Sequence, residues 1–542
     1  MKANWLTLGA ALVLLLAPPA WSQKFLLDDP LERDPDDLPV PQPVERKLSE
    51  VYDFLWNTFV LKPGEKPPRA ANLNTLGEVP ESSWFAPRIG RRPMSLEELV
   101  RGPNQLQGPD GSRPWTLIAA KTEGITPGFT IEDGRGEAFF IKLDPPENPN
   151  LATAAEVIST KFFHAIGYYV AETYIARFRP DEYRIESGVQ IQDEFGRQRE
   201  MTRQDVAELL KRIPRAADGT LRVVASRKLP GRILGPFEYS GARPDDANDI
   251  FPHEDRRELR ALRVFSAWLN HDDSRAINTL DSYLGEAGSG HVRHHLIDFA
   301  STLGSGSVGP QDPRAGNEYL MERTPALRSA LTFGLWDRPW RSVRYPDFPE
   351  VGRFEAEFFD PDFWRPEYPN PAFDRLDPLD AFWAARILQK FSEPAIRAIV
   401  AAGEISDPRA ETYLADTLIR RRDKILAAYF SRVNPLAEFR LVGGPDSPQL
   451  AFENLGEAAG LGRAESYEVQ WFRFDNDHER LEPIGEPESR EETRHPVPRD
   501  GAAFLAARIR TRARSHPDWS KAVEVYLRQH PGLSIVGIER EP

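Results

Sequence analysis

The chain has 542 residues, more than one ordinary core accommodates, so two or three domains are expected. A formal net charge of −14 excludes general nucleic-acid binding, because such a surface repels phosphate backbones; 40% hydrophobic and 28% charged residues is the balance of a soluble globular protein. The sequence contains no cysteine, which excludes disulfides, thiolate zinc sites, cysteine nucleophiles and a lipid-bearing cysteine after a leader.

Lys2 precedes an apolar run from Leu6 to Leu16, and small residues Ala20 and Ser22 stand at −3 and −1 before Gln23. This is the pattern of a cleaved secretory signal over residues 1–22. The run is well short of the roughly 20 residues that cross a bilayer, and no later stretch is longer and apolar, so no transmembrane span is expected after cleavage. The expected location is secreted or periplasmic, outer-envelope association included.

Residues 24–46 are dense in Asp, Glu and Pro and show no apolar period, which predicts an extended, solvated arm. Leu48, Val51, Phe54 and Leu55 lie at helical spacing and predict a helix over 47–62. Ser95 with Glu98 three residues on predicts a capped short helix. Residues 23–114 thus form an acidic, proline-rich extension.

From residue 115 the pattern becomes strands. Trp115–Lys121, Phe129–Glu132 and Glu137–Leu143 alternate, with Asp133-Gly134 as a hairpin turn. Gly124 and Gly128 flank the first turn, where glycines would let backbone N–H groups approach a phosphate; a plain turn between strands needs them equally. Phe140 and Lys142 share one strand face, and Phe139, Ile141 and Leu143 share the other. Ala152–Ile166 reads as a helix, with Glu156 in its second turn. Residues 180–240 read as an insertion containing a charged strand pair, a helix over 203–212 and strands at 221–227 and 231–235.

An amphipathic helix over 257–270 delivers the chain into His271-Asp272-Asp273, with Asn278 five residues after Asp273 and Asp298 following Leu296-Ile297. One carboxylate to orient a hydroxyl, with an amide and a second carboxylate to hold a divalent metal, is the inventory of a phosphoryl-transfer site. His291, His294 and His295 could ligate a metal, but alternation splits them between two strand faces. Residues 311–376 read as ordered loop, 380–389, 394–402 and 409–432 as helices, and 440–542 as a small, sandwich-like β domain. Arg420, Arg421 and Arg422 read as a solvated helix face.

The order glycine turn, Lys142 on a third strand, Glu156 on the next helix, His271-Asp-Asp273 with Asn278, then Asp298-Phe-Ala resembles the protein-kinase-like superfamily, with the looser motifs similar to atypical bacterial HipA-like kinases. The resemblance implies an α+β, two-lobed fold: a β-rich N-lobe with insertion over 115–260, a helical C-lobe over 261–435, then the C-terminal β domain. It implies ATP and Mg²⁺ as cofactors. Lys142, paired with Glu156, would hold the nucleotide phosphates beside Gly124 and Gly128. Asp273 would orient the acceptor hydroxyl, and Asn278 and Asp298 would bind Mg²⁺. The acceptor stays open between a protein, a sugar and a lipid head group. Two departures, Asp272 in place of an arginine and Ala300 in place of a glycine, support an alternative: a degenerate kinase-fold binding or scaffolding module of the bacterial envelope, without turnover.

Overall fold

The computed structural model describes residues 23–542 apart from 35, 37, 62–66, 121–127, 193–196, 212, 323–326, 329–330 and 333–337. The expected signal segment and the turn carrying Gly124 lie outside the described residues. The chain is a mixed α+β protein.

Helix α1, Glu50–Leu55, starts at Ser49, whose hydroxyl accepts from the Tyr52 N–H, and runs on as a π-helical turn over Trp56–Val60. Helix α2, Leu96–Arg101, closes the capping box that Ser95 and Glu98 announce. Strands β1 (Trp115–Ala120), β2 (Gly128–Glu132) and β3 (Ala138–Leu143) follow, then helix α3 (Leu151–Ile166) and β4 (Thr173–Phe178). Beyond them come β5 (Tyr183–Ile185), the pair β6 (Gln190–Gln192) and β7 (Gln198–Glu200), helix α4 (Arg203–Leu210) and β8 (Leu221–Arg227).

The main sheet has the order β4-β8-β3-β2-β1-β5, antiparallel throughout except for the parallel β1–β5 pair. This corrects the insertion expected over 180–240. β8 lies inside the sheet, between β4 and β3, and β5 extends its edge; the parts outside it are β6, β7, α4 and a strand over 232–235 that joins a different sheet. Apolar alternation explains the placement. Phe139, Ile141 and Leu143 of β3 and Val223 and Ala225 of β8 are buried in one cluster with Val206 and Leu210 of α4. The α4 helix therefore covers one face, and α3 packs across β3, β4 and β8 on the other.

Strand β9 (Arg232–Gly235), helix α5 (Arg257–Leu269), β10 (Thr279–Leu284) and β11 (His291–Leu296) form the second unit, with sheet order β11-β10-β9. The helix α5 is buried on its polar side as well as its apolar one. Arg257 Nε donates to Asp380 Oδ1 at 2.8 Å, and Arg260 lies 3.5 Å from Asp380 Oδ2. Helices Pro378–Gln389 and Pro408–Phe430 pack on α5, and the Trp268 indole donates to the Leu418 carbonyl at 2.9 Å. The expectation of a solvated face at 420–422 fails at Arg421. Its side chain is buried against Phe359, and its Nε donates to the Trp268 carbonyl at 3.0 Å. An arginine that satisfies backbone carbonyls inside a core has the same sequence signature as one in solvent.

The C-terminal region packs a three-stranded sheet, β12 (Leu436–Val442), β13 (Gln449–Asn454) and β16 (Arg494–Pro496), against a five-stranded one. The larger sheet has the order β15-β14-β17-β18-β19, built from β14 (Ser466–Asp475), β15 (Arg480–Arg490), β17 (Phe504–Arg512), β18 (Val523–Arg528) and β19 (Ser534–Arg540). Leu450 and Phe452 of one sheet meet Val469, Leu505 and Val525 of the other.

The far face of the five-stranded sheet is covered by Phe25, which packs among Phe474, Phe504 and Tyr526. The arm is extended and mostly solvated, as its composition suggests, but it is pinned at a few points, with Phe25 and Val40 buried. Phe25 exchanges two 2.9 Å hydrogen bonds with Asn476; Val40 N donates to the Gly290 carbonyl, and Arg46 N to the Leu234 carbonyl. Its few apolar side chains and its backbone, not a periodic pattern, bind it across the two outer sheets.

Candidate functional site

Lys142 sits on the α3-facing side of β3, as the alternation requires. Its Nζ lies 2.8 Å from Glu156 Oε2 on α3 and 2.8 Å from Asp298 Oδ1 just past β11. Glu156 is buried, which overturns the ordinary expectation of a solvated helix charge at that position. Burial alone would push the Lys142 ammonium towards neutrality, but Asp298 and Glu156 outweigh it and hold its pKa above the usual lysine range.

Asp298 is positioned by a hairpin. In the β10–β11 ladder Thr279 faces Leu296, and the Ile297 N–H donates to the Asn278 carbonyl at 3.0 Å. Asn278 and Asp298 therefore stand at the same end of the ladder. Asp298 takes a left-handed backbone with φ +60°, a conformation aspartate tolerates better than most residues. The following segment is clamped onto α3: Phe299 stacks on Phe163 at 4.8 Å, Thr302 Oγ1 is 2.7 Å from Ser159 Oγ, and Ala300 is fully buried.

The Asp273 loop leaves α5 through Asn270, also left-handed. Asn270 is held by Gln311 (2.7 Å) and by the Trp364 indole (2.9 Å); Gln311 Nε2 also donates to Asp272 Oδ1 at 2.8 Å. Asn278 Nδ2 donates to the Asp273 carbonyl at 2.7 Å. The Asp273 carboxylate pairs with Arg275 Nε, and the same guanidinium pairs with Glu50 of α1 and lies 3.5 Å from Glu367. Burial, with smaller contributions from Glu367 and Asp298, pushes Asp273 up to about 6 against the pull of Arg275. Burial, Asp273 and Glu367 push Asp272 up to about 7.

Four participants escape a reading of the sequence: Arg275, Glu50, Glu367 and Gln311. Arg275 lies inside the motif; Glu50 comes from α1 and Glu367 and Gln311 from distant loops, with no local signal for any of the three. Of the two glycines, Gly128 opens β2 directly opposite Lys142. A Cβ there would meet the Ile141 carbonyl oxygen at 2.2 Å, so close strand approach by itself requires glycine. His294 is stacked on Trp84 and bonded to Asp281 at 2.7 Å, and His295 Nδ1 lies 3.2 Å from the Leu280 carbonyl. Among the described residues, no group of three or more His, Asp or Glu side chains is arranged to hold a metal ion.

The Asp272 shift gives a stability prediction. The folded chain keeps this proton up to about pH 7, whereas an unfolded aspartate releases it near 3.8. The raised value means stability is lost as pH rises through that window. Relative to Asp272→Asn, wild type should lose about 2 kcal/mol between pH 4.5 and 8, a figure reduced for the half-buried position. Urea denaturation of both proteins at the two pH values measures it; a gap independent of pH contradicts the assignment.

The fold and site define an α+β protein with a Lys–Glu–Asp ion cluster facing an Asp/Asn loop. No family model matches the chain, and no curated protein does. Among solved structures, the chain titled "Crystal structure of the golgi casein kinase" is similar at 8% identity over 62% of this chain and 74% of that one, with a TM-score of 0.28. So slight a likeness carries no argument, and the functional reading rests on the site itself.

Proposed function

We propose that the chain is a kinase-like phosphotransferase of two-lobed architecture that uses ATP and Mg²⁺ to phosphorylate a hydroxyl. The observation that carries this is Lys142 held between Glu156 and Asp298, with Asn278 at the same hairpin end as Asp298. A carboxylate and an amide are hard oxygen donors of the kind Mg²⁺ takes, and two such ligands suffice when phosphate oxygens complete the shell. Asp298 and Asn278 would hold the ion, which supplies charge neutralisation of the transferred phosphoryl group. Lys142, kept cationic by its carboxylates, pairs with the nucleotide phosphates, and Glu156 fixes its position. Asp273 orients the acceptor hydroxyl. The pattern of residues 1–22 supports export, and the looser motifs support a HipA-like relationship.

A second reading, an envelope binding module without turnover, is favoured by one feature: Arg275 already engages the Asp273 carboxylate. Thermal unfolding with nucleotide separates the two. Saturating ATP with Mg²⁺, at about 100 times its Kd, adds about 2.7 kcal/mol and should raise the midpoint by about 2 °C for a chain of this length. No shift with ATP or any other nucleoside triphosphate overturns the phosphotransferase reading.

A further inference from the structure

Beside the Asp273 loop lies a cleft with no role in the scheme above. Ser274 and Arg275 line it on one side, Tyr52, Asp53 and Trp56 on the second, and Tyr368 on the third. We propose that this cleft is the acceptor-side docking site and that it takes a basic peptide segment. The proposal rests on the phosphotransfer reading only for the word acceptor; the binding claim stands separately.

The first observation is an apolar strip left exposed among the described residues. Val51, Tyr52, Leu55, Trp56, Phe59 and Val60 are all exposed on the helical segment Glu50–Val60. Tyr52 is 61% and Trp56 42% exposed, and their rings stack at 5.8 Å with 24° between planes. Grouped exposed aromatics mark interaction surfaces more often than scattered apolar residues do. Tyr52 and Trp56 line the cleft and the rest of the strip continues beyond it; at about 1.5 Å per residue the whole is about 16 Å long, a span that suits several extended residues better than one small molecule.

The second observation, charge, selects the occupant. Asp53 and Glu238 line the cleft, and Asp53 accepts hydrogen bonds from neutral groups, the Tyr368 hydroxyl (2.6 Å) and the Asn57 amide (2.9 Å). Arg275 is the one cationic side chain lining it among the described residues, and it is already shared by Asp273, Glu50 and Glu367. The surroundings are therefore acidic, which disfavours phosphorylated head groups and acidic peptides. Exposed Trp and Tyr faces beside carboxylates attract ammonium and guanidinium groups by cation–π contact and charge together. A lysine- or arginine-bearing segment laid along Tyr52 and Trp56 would bring a nearby hydroxyl towards Asp273.

The test uses the full chain and a fluorescein-labelled peptide Lys-Arg-Leu-Ser-Leu-Lys-Arg, with binding read by anisotropy in the absence of nucleotide. Trp56→Ala and Asp53→Asn should each weaken binding about tenfold, and added salt should weaken it further. Trp56→Phe, which keeps an aromatic face, should restore most of the affinity, so simple misfolding is separated from loss of contact. Equal binding of the peptide with Glu in place of Lys and Arg, unchanged affinity in both variants, or tighter binding of chitohexaose would each overturn the proposal. Intact binding without phosphate transfer would instead count against the phosphotransferase reading alone.

Discussion

Asp298→Ala is expected to lower phosphate transfer from ATP by at least about 10³-fold, roughly 4 kcal/mol of transition-state stabilisation. Asp298 pairs with Lys142, and in the proposed function it would also hold the metal ion. Under the proposed function its removal would take away the ion's charged ligand and loosen the lysine that would face the phosphates. The fold should survive, because the Asp298 side chain is 35% exposed and Lys142 keeps Glu156. Radiolabelled transfer, measured alongside the thermal midpoint, separates the two effects. Equal labelling by wild type and variant would sink the assignment.

Glu156→Ala should instead act first on stability, lowering it by about 3 kcal/mol. Lys142 and Glu156 are both largely withdrawn from water, and deleting one partner of such a pair leaves a charge that is expensive to keep buried. Asp298 remains as a partner and limits the loss. The pair itself need not be net stabilising, so replacing both residues together, Lys142→Met with Glu156→Leu, should recover much of the difference while leaving phosphate transfer absent. Urea unfolding of Lys142→Met, Glu156→Leu and the double closes the cycle. A Glu156→Ala cost below about 0.5 kcal/mol would show that the pair is solvated in solution.

These two residues are also where the sequence is most informative. Alternation along β3 puts Lys142 on the face away from Phe139 and Ile141, and the helix that follows brings Glu156 back over that face. Both are short-range consequences of periods of two and 3.6. Asp298 is singled out by its place after Leu296-Ile297 and by motif order, while the hairpin that sets it beside Asn278 emerges only in the structure. What escapes depends on partners far along the chain. The arm 24–46 lacks a period because it packs as an irregular strap, and its anchor Phe25 bonds to a residue 451 positions away. β8 looks inserted because β5, β6, β7 and α4 intervene before it returns to the sheet beside β3. The ring of Glu50, Arg275 and Glu367 around Asp273 joins three distant segments, and no spacing rule links them. The wrong expectation at Arg421 has another cause, since carbonyl-bonded and solvated arginines look alike in composition.

Phe25 at one end of the described chain is sealed by β18 and β19 at the other: a Cβ on Gly537 would lie 2.4 Å from its ring, and the Thr75 hydroxyl donates to the Val536 carbonyl at 2.6 Å. During synthesis the early strap therefore emerges long before anything exists to receive it. The strap's contacts with Leu234 and Gly290 have their partners by mid-chain, but its Phe25 anchor docks only after the final strands have been made. Closure of so long a loop is slow relative to local helix and hairpin formation. Until then its acidic, proline-rich composition keeps it hydrated rather than sticky. The same composition that hides the docked state in the sequence suits a segment that must wait for the end of the chain.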